Sequence, residues 1–302
     1  MTRPAAPSLP IGRRGRGAEA RVSRGLWADA ARRLVRNRPA LIGLALVAVF
    51  VAAAVAAPAL APYGPYERAG GQLEAPSGAH PFGTDLLGRD VFSRVLFGAQ
   101  ISLQVGVVAV LLALLSGGLI GALAGGFGGW VDAVLMRLTD VLLAIPGILL
   151  AIGIVAWLGR GMPQLMLAIA VTYTPIFARL LRGSLLALRE VDYVVAARSI
   201  GASPFRILTR HMLPNAITPL IVQATLVLAT AIIDIAGLGF LGLGPPDPRT
   251  PEWGTMLVDA RRFLQTAPHI VFFVGGAIVV SAIGFNLLGD GLRESLDPRL
   301  KR

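Results

Sequence analysis

Apolar residues in this chain fall into long runs, most of them close to the ~20 residues that an α-helix needs to cross about 30 Å of hydrocarbon. The runs lie at Ala40 to Leu60, Ile101 to Gly125, Val134 to Leu158, Gln164 to Leu186, Ile217 to Leu243 and Pro268 to Leu288, so six membrane-spanning helices are predicted. Glycine and proline occur inside them (Pro146, Pro175, Pro219). Membrane helices tolerate these residues because neighbouring helices satisfy the freed backbone groups.

One polar insert interrupts the pattern between the fourth and fifth runs. Asp192 to Asn215 reads DYVVAARSIGASPFRILTRHMLPN, which predicts a helix, a glycine turn and a second helix. Gly201 is free to take positive φ and close the first helix, Ser203 can cap the second, and Pro204 suits its first position. Pro214 is expected to end it. The apolar side of this hairpin (Val191, Val194, Val195, Ile200, Phe205, Leu208, Met212) is interrupted by Arg198, Arg206 and Arg210. The segment is therefore amphipathic and too charged to span a bilayer, and it should lie at a membrane face as a docking surface for another protein.

Composition supports the membrane reading, since 55% of the 302 residues are hydrophobic and only 15% are charged. The net charge of +11, from 28 basic and 17 acidic residues, could suggest a nucleic-acid partner, but its placement argues otherwise. Ten arginines precede Pro39. With six crossings both termini share one side, and that side also receives Arg179 to Arg210, Arg293, Arg299, Lys301 and Arg302; the other side has Arg68, Arg89, Arg94, Arg160, Arg249, Arg261 and Arg262. By the positive-inside rule the termini and the hairpin are cytoplasmic. The basic lead reads as a topology determinant and a solvated, disordered segment rather than as a specific nucleic-acid or lipid site, and membrane lipid is the expected surrounding of the spans. It is also too long for the start of a cleaved signal peptide, although VAAAVAAPALA contains small-residue cleavage patterns.

Catalytic chemistry is scarce. The chain has no cysteine, which excludes thiol nucleophiles and cysteine-ligated metals. His80, His211 and His269 fall in separate segments, each expected to be an interfacial residue, and no metal site follows. The only lysine is Lys301, so a P-loop, whose lysine must reach the phosphates from a glycine-rich turn, is absent. The chain is read as no enzyme and as binding no cofactor itself. If ATP drives it, another polypeptide binds the ATP and its Mg2+.

At the hairpin the residues resemble the EAA loop of ABC importer permeases, E-A-A-x3-G-x9-I-x-L-P. Here it runs Val195, Ala196, Ala197, Gly201 and, nine residues on, His211, Met212, Leu213 and Pro214. The spacing matches; Val195 replaces the glutamate and His211 the isoleucine. The stretches HPFGTDLLGRDVFSRVLFGAQISLQVG, MRLTDVLLAIPGILLA, GLGFLGLGPPDPRTPEWGTML and NLLGDGLRESLDPRLKR are similar to the second-subunit (DppC and OppC) type of the peptide, dipeptide and nickel permeases. The resemblance implies an all-α membrane protein with the type I ABC importer permease fold and a cytoplasmic EAA coupling helix in the bacterial inner membrane. The implied partners are a homologous DppB/OppB-type permease subunit forming a heterodimer, two ABC ATPases docked on Val195 to Pro214, including Arg206 and Arg210, and an extracytoplasmic substrate-binding protein.

The chain then divides into a basic cytoplasmic tail (1–38), a first helix (39–61), an extracytoplasmic segment (62–100), a five-helix core (101–290) with the coupling loop at 190–215, and a cytoplasmic tail (291–302). The external segments, 62–100 and 245–267, are the expected seats for the binding protein, with Trp253 as an interfacial aromatic. Gly117, Gly121 and Gly125 form a small-residue face for close helix packing, or alternatively a flexible gate. Asp140 lies about 10 Å into the third span on a rise of ~1.5 Å per residue and must be paired or wet; Arg137 is its nearest partner in sequence, and a substrate contact is the alternative. Asp234 lies ahead of Gly237, Gly239, Gly242 and Gly244, where the helix should give way to an irregular turn packed on protein or facing the pathway. Structural capping and a gate role both remain open for it.

The mechanism implied is alternating access driven by the partner ATPases, with short peptides as substrate and nickel, glutathione or haem as alternatives. An ion-coupled secondary transporter would also contain broken helices and buried carboxylates but has no use for the hairpin. A membrane-anchored nucleic-acid-binding protein would exploit the basic tail.

Overall fold

The computed structural model describes residues 32–247 and 249–296; most of the basic tail, with Arg299, Lys301 and Arg302, lies outside them. Helix α1 (Arg38–Val55) starts with Pro39 in its first turn and with the Asn37 side chain accepting from the Ala40 amide. It breaks at Ala56, and a single turn, α2 (Ala57–Leu60), follows with Pro58 in its first turn. The second predicted span is much longer than its apolar run. Helix α3 covers Val91–Phe127, 37 residues, because Asp90 caps it and Val91, Val95, Leu96 and Ala99 already give the first turns a buried face. The expected external segment 62–100 therefore contributes its last ten residues to this helix.

The third predicted span is not one rod. It consists of α4 (Gly129–Ala144) and α5 (Gly147–Leu158), bent by 93°. Ile145 takes the extended conformation (φ −93°, ψ 128°) that a following proline favours, and Pro146 brings no amide to continue the helix. Among the described residues, five helices are long and apolar enough to cross a membrane, or six if this bent pair counts as one span.

Helix α6 (Met162–Leu188) packs along α3. The contact is built on the glycine face: a Cβ at Gly117 or Gly121 would meet the carbonyl oxygens of Thr174 and Ala178 at 2.3 and 2.5 Å, and one at Gly125 would meet Leu185 at 3.0 Å. Ser116 and Thr174 add a hydroxyl–hydroxyl bond of 2.7 Å across the same seam. Packing, the first reading of these glycines, is what the structure contains.

The insert follows as α7 (Asp192–Ser199) and α8 (Pro204–Arg206). Pro214 does not end the second helix as expected. The chain passes through a π-turn, Ile207–Met212, directly into α9 (Leu213–Leu238), giving one helical body from Pro204 to Leu243. The wider turn, in which the Leu213 amide bonds to the Leu208 carbonyl, places Pro214 at the start of a fresh α-segment, where its missing N–H costs nothing. A second π-turn, Gly239–Leu243, contains Gly242 at φ +78°. Helix α10 (Trp253–Ala260) then leads to α11 (Pro268–Leu296), which runs eight residues past the predicted Leu288.

Two apolar cores result. One joins α3, α5, α6 and α9 with the underside of the insert. The other joins α1, the start of α3, α9, α10 and α11 around Trp253. Trp253 is a core residue, 1% exposed, with its indole N–H donating to the Val95 carbonyl, and the interfacial position expected for it is wrong. Burial of His80 likewise overturns its interfacial reading: its Nδ1 lies 3.0 Å from Asp90, the cap of α3.

Candidate docking surface and membrane-embedded charges

The insert is held in one shape by local bonds that its sequence specifies. After α7 the Ala202 amide donates to the Ala197 carbonyl (3.1 Å) and the Gly201 amide to Arg198 (3.0 Å), with Gly201 at φ +78°. This is the paired Schellman closure, and it needs a residue that reaches left-handed φ without a Cβ penalty. Two residues on, the Ser203 hydroxyl accepts from the Arg206 amide at 3.4 Å, with Pro204 in the first turn. Asn215 reaches back to the Tyr193 hydroxyl (3.2 Å) and the His211 carbonyl (3.0 Å).

The predicted apolar side of the hairpin divides between two faces. Val194, Ala197, Ile207, Leu208 and Met212 are buried against the bundle, with Leu208 seated on Gly126 at the end of α3. Arg189 closes that end by donating to the Gly125 and Gly126 carbonyls at 2.7 and 2.9 Å, which satisfies groups that a helix C-terminus leaves unpaired. Ile200 and Phe205 face outward, 86% and 68% exposed, beside the exposed Val195 and Ala196. Ser203, Pro204, Arg206, Arg210 and Pro214 are exposed with them, while His211 and Leu213 are half-buried. Two large apolar side chains flanking a braced turn, with arginines alongside, make an exposed apolar patch with a polar rim, the kind of surface that marks protein contact sites.

The intramembrane carboxylates all have partners, though not those their sequence neighbours suggest. Asp140 pairs with Arg179 of α6 at 2.5 Å, not with Arg137. About two helical turns earlier on α4, Asp132 holds Arg182 in a two-point bond at 2.5 and 2.7 Å. The α4–α6 seam thus carries two ion pairs whose partners lie 39 and 50 residues apart, beyond the reach of helical spacing rules. Asp234 accepts from the Tyr173 hydroxyl at 2.7 Å.

The glycines beyond Asp234 do different work. Gly237 makes only an ordinary contact with Ile148, whereas a Cβ at Gly239 would meet the Glu252 carboxylate at 2.3 Å. Glu252 has no sequence signal, because a lone glutamate in a loop carries no pattern. It is fully buried and caps α10, accepting from the Gly254 and Thr255 amides at 2.8 Å each. Burial pushes its carboxyl up to about 7, against the pull of those donors. The turn after α9 is therefore packed on protein, one of the two expected placements.

Two family models match the chain. Residues 117–302 match the binding-protein-dependent transport system inner membrane component, and residues 25–76 match the N-terminal TM domain of oligopeptide transport permease C. The chain belongs to the binding-protein-dependent transport permeases. The dipeptide transport system permease protein DppC of Alkalihalophilus pseudofirmus is 46% identical over 276 residues, 91% of this chain and 90% of the relative. Glutathione transport system permease proteins GsiD of Pectobacterium atrosepticum and Escherichia coli are 44% and 47% identical, each over 91% of this chain and 92% and 91% of the relative. A chain of the MetNI methionine ABC transporter, solved in inward-facing conformations, superposes with a TM-score of 0.54 at 21% identity, covering 68% of this permease and 96% of that chain. The fold is that of a type I ABC importer permease, and the protein is a multi-pass component of the inner membrane.

Proposed function

We propose that this permease forms, with a homologous second subunit, the translocation pathway of an ATP-driven importer for short peptides. Two ATPase chains supply the energy, binding the ATP and Mg2+, and an extracytoplasmic binding protein delivers the substrate. The termini and the insert lie on the cytoplasmic side. The observation that carries this reading is the insert itself: Ile200 and Phe205 stand exposed on a turn braced by the Gly201 closure, and the turn is continuous through the π-segment with α9. A push on the turn passes through the π-segment into α9, toward Asp234 and the Gly239–Leu243 turn at its other end. The task of the chain is to keep inward-open and outward-open states within a few kcal/mol so that partner binding shifts the population.

Short peptides are favoured as substrate because the relatives named above are a dipeptide permease and glutathione permeases. Glutathione is the second reading on the same ground. The reading is tested by uptake of labelled dipeptides and of glutathione in a strain lacking this chain. ATP-dependent uptake of one of them should disappear on deletion and return on complementation, and uptake that follows an ion gradient after ATP depletion would refute it. The absence of native cysteine makes orientation testable in the same strain. Leu87→Cys should react with an impermeant thiol reagent in intact cells and Ile200→Cys only after permeabilisation; the reverse pattern would invert the orientation.

A further inference from the structure

At the opposite end from the insert, a cavity of about 250 Å3 lies between the 61–90 loop, the first turns of α3 and the α10 segment. Its charged lining is Asp85, Arg89, Arg94, Arg249, Asp259 and Arg262. Several of these side chains are fixed before any ligand arrives. Arg94, 1% exposed, donates to the Pro65 and Arg249 carbonyls at 2.8 and 3.1 Å. Asp85 lies 2.6 Å from Nε of Arg89 and 3.6 Å from Nε of Arg94. Arg89 is 5% exposed, and its Nη1 is buried with no hydrogen-bond partner. Arg262 is exposed, as is Arg249, whose guanidinium lies 3.1 Å from Asp247.

Charge decides what such a cavity takes. Four guanidinium groups face Asp85 and Asp259, and the balance stays positive when Asp247, outside the lining, is counted. A buried guanidinium with an unsatisfied N–H is costly unless an acceptor reaches it, and a carboxylate is the acceptor whose geometry suits an arginine fork. The apolar floor decides how that carboxylate arrives. Val91, Met256 and Ile270 line the cavity and are 0%, 5% and 3% exposed, as members of the Trp253 core. Buried apolar side chains thus floor the cavity on the side of the Trp253 core, and its charged groups lie above them.

We propose that this cavity receives an acidic side chain of the extracytoplasmic protein that delivers substrate. The inference rests on the functional reading above and adds to it the point and the chemistry of contact. The rim arginines Arg249 and Arg262 steer the acidic partner, and Arg89, whose Nη1 has no partner, is the buried group toward which a carboxylate of the right reach is drawn.

The test uses the complete transporter in nanodiscs, titrated at low and high salt with the labelled binding protein that supports its uptake. Arg262→Glu should weaken that affinity roughly tenfold or more and flatten its salt dependence, whereas Arg262→Lys should retain most of it. Asp259→Asn, which removes a repelling carboxylate, should tighten it, an outcome that a misfolded variant cannot mimic. Free glutarate should compete with the binding protein for the wild-type complex and not for Arg262→Glu. Unchanged affinity in both charge variants would overturn the proposal. So would unchanged affinity with a raised substrate requirement for half-maximal uptake, which would place the carboxylate on the substrate. A wild-type complex without ATP-driven uptake would instead refute the functional reading on which the proposal rests.

Discussion

The Tyr173 hydroxyl of α6 donates to the Asp234 carboxylate of α9 at 2.7 Å, the one side-chain bond that ties a carboxylate deep in α9 to the neighbouring helix among the described residues. It pins α6 and α9 together at the depth where α9 approaches its glycine turn. Tyr173→Phe should remove the donor and leave the carboxylate short of a partner, at about 1–3 kcal/mol. Asp234→Asn, which keeps an acceptor, should cost less. Thermal unfolding of the two variants in detergent gives the order; an equal loss in both would show that the bond is not what Asp234 needs.

Helix α3 approaches α6 most closely at its glycines. Gly121→Leu should force the helices apart, because even a Cβ there meets the Ala178 carbonyl at 2.5 Å, and overpacking of this kind costs about 1–3 kcal/mol. Gly118, where a Cβ meets nothing within 4 Å, provides the control. A lowered melting temperature for Gly121→Leu beside an unchanged one for Gly118→Leu is expected.

Gly201 sits at φ +78° with open space around its Cα. Gly201→Val should therefore act through backbone strain alone, of order 1 kcal/mol or more, and displace Ile200 and Phe205 relative to α9. Substrate-stimulated ATP hydrolysis and uptake should fall together in a permease that still inserts, and normal uptake would remove the closure from the mechanism.

Glu252 makes part of the outer end of the structure sensitive to pH. Its folded-state carboxyl, raised from 4.5 to about 7 by burial, holds its proton more tightly than the unfolded chain does. Its stabilising contribution is full below about 4.5 and is lost as pH rises through about 7, on the order of 3 kcal/mol in total. Hydrogen exchange over residues 239–260, corrected for the intrinsic rate, should show more frequent opening at alkaline pH. Glu252→Gln, uncharged throughout, should flatten that dependence, and an unaltered profile would assign it to another group.

Much of this architecture is written locally. The apolar runs place the spans, Gly201 and Ser203-Pro204 set the insert, and the spacing of Gly117, Gly121 and Gly125 marks a packing face. What the sequence hides depends on distance or on competition between local rules. Arg137 is close to Asp140 along the chain, yet Arg179 across the α4–α6 seam takes the pair. Pro146 and Pro214 carry the same helix-breaking chemistry with opposite outcomes, a 93° bend at one and a π-turn feeding a continuous helix at the other, because flanking turns decide whether the missing N–H is needed. Trp253 has the amphipathic ring of an interfacial residue and is buried because the Val95 carbonyl is available inside.

Attachment of the ATPase chains at the exposed tip of the insert, as proposed above, is open to a direct binding measurement. Affinity-tagged permease carrying Ile200→Asp and Phe205→Asp together is purified from membranes, and the ATPase chains retained are compared with wild type. Both side chains face outward, so the substitutions leave the buried face that packs on Gly126 intact. The expected product is a correctly inserted permease that keeps its partner permease subunit and loses most of the ATPase. Full retention of the ATPase chains by that inserted double variant would contradict it.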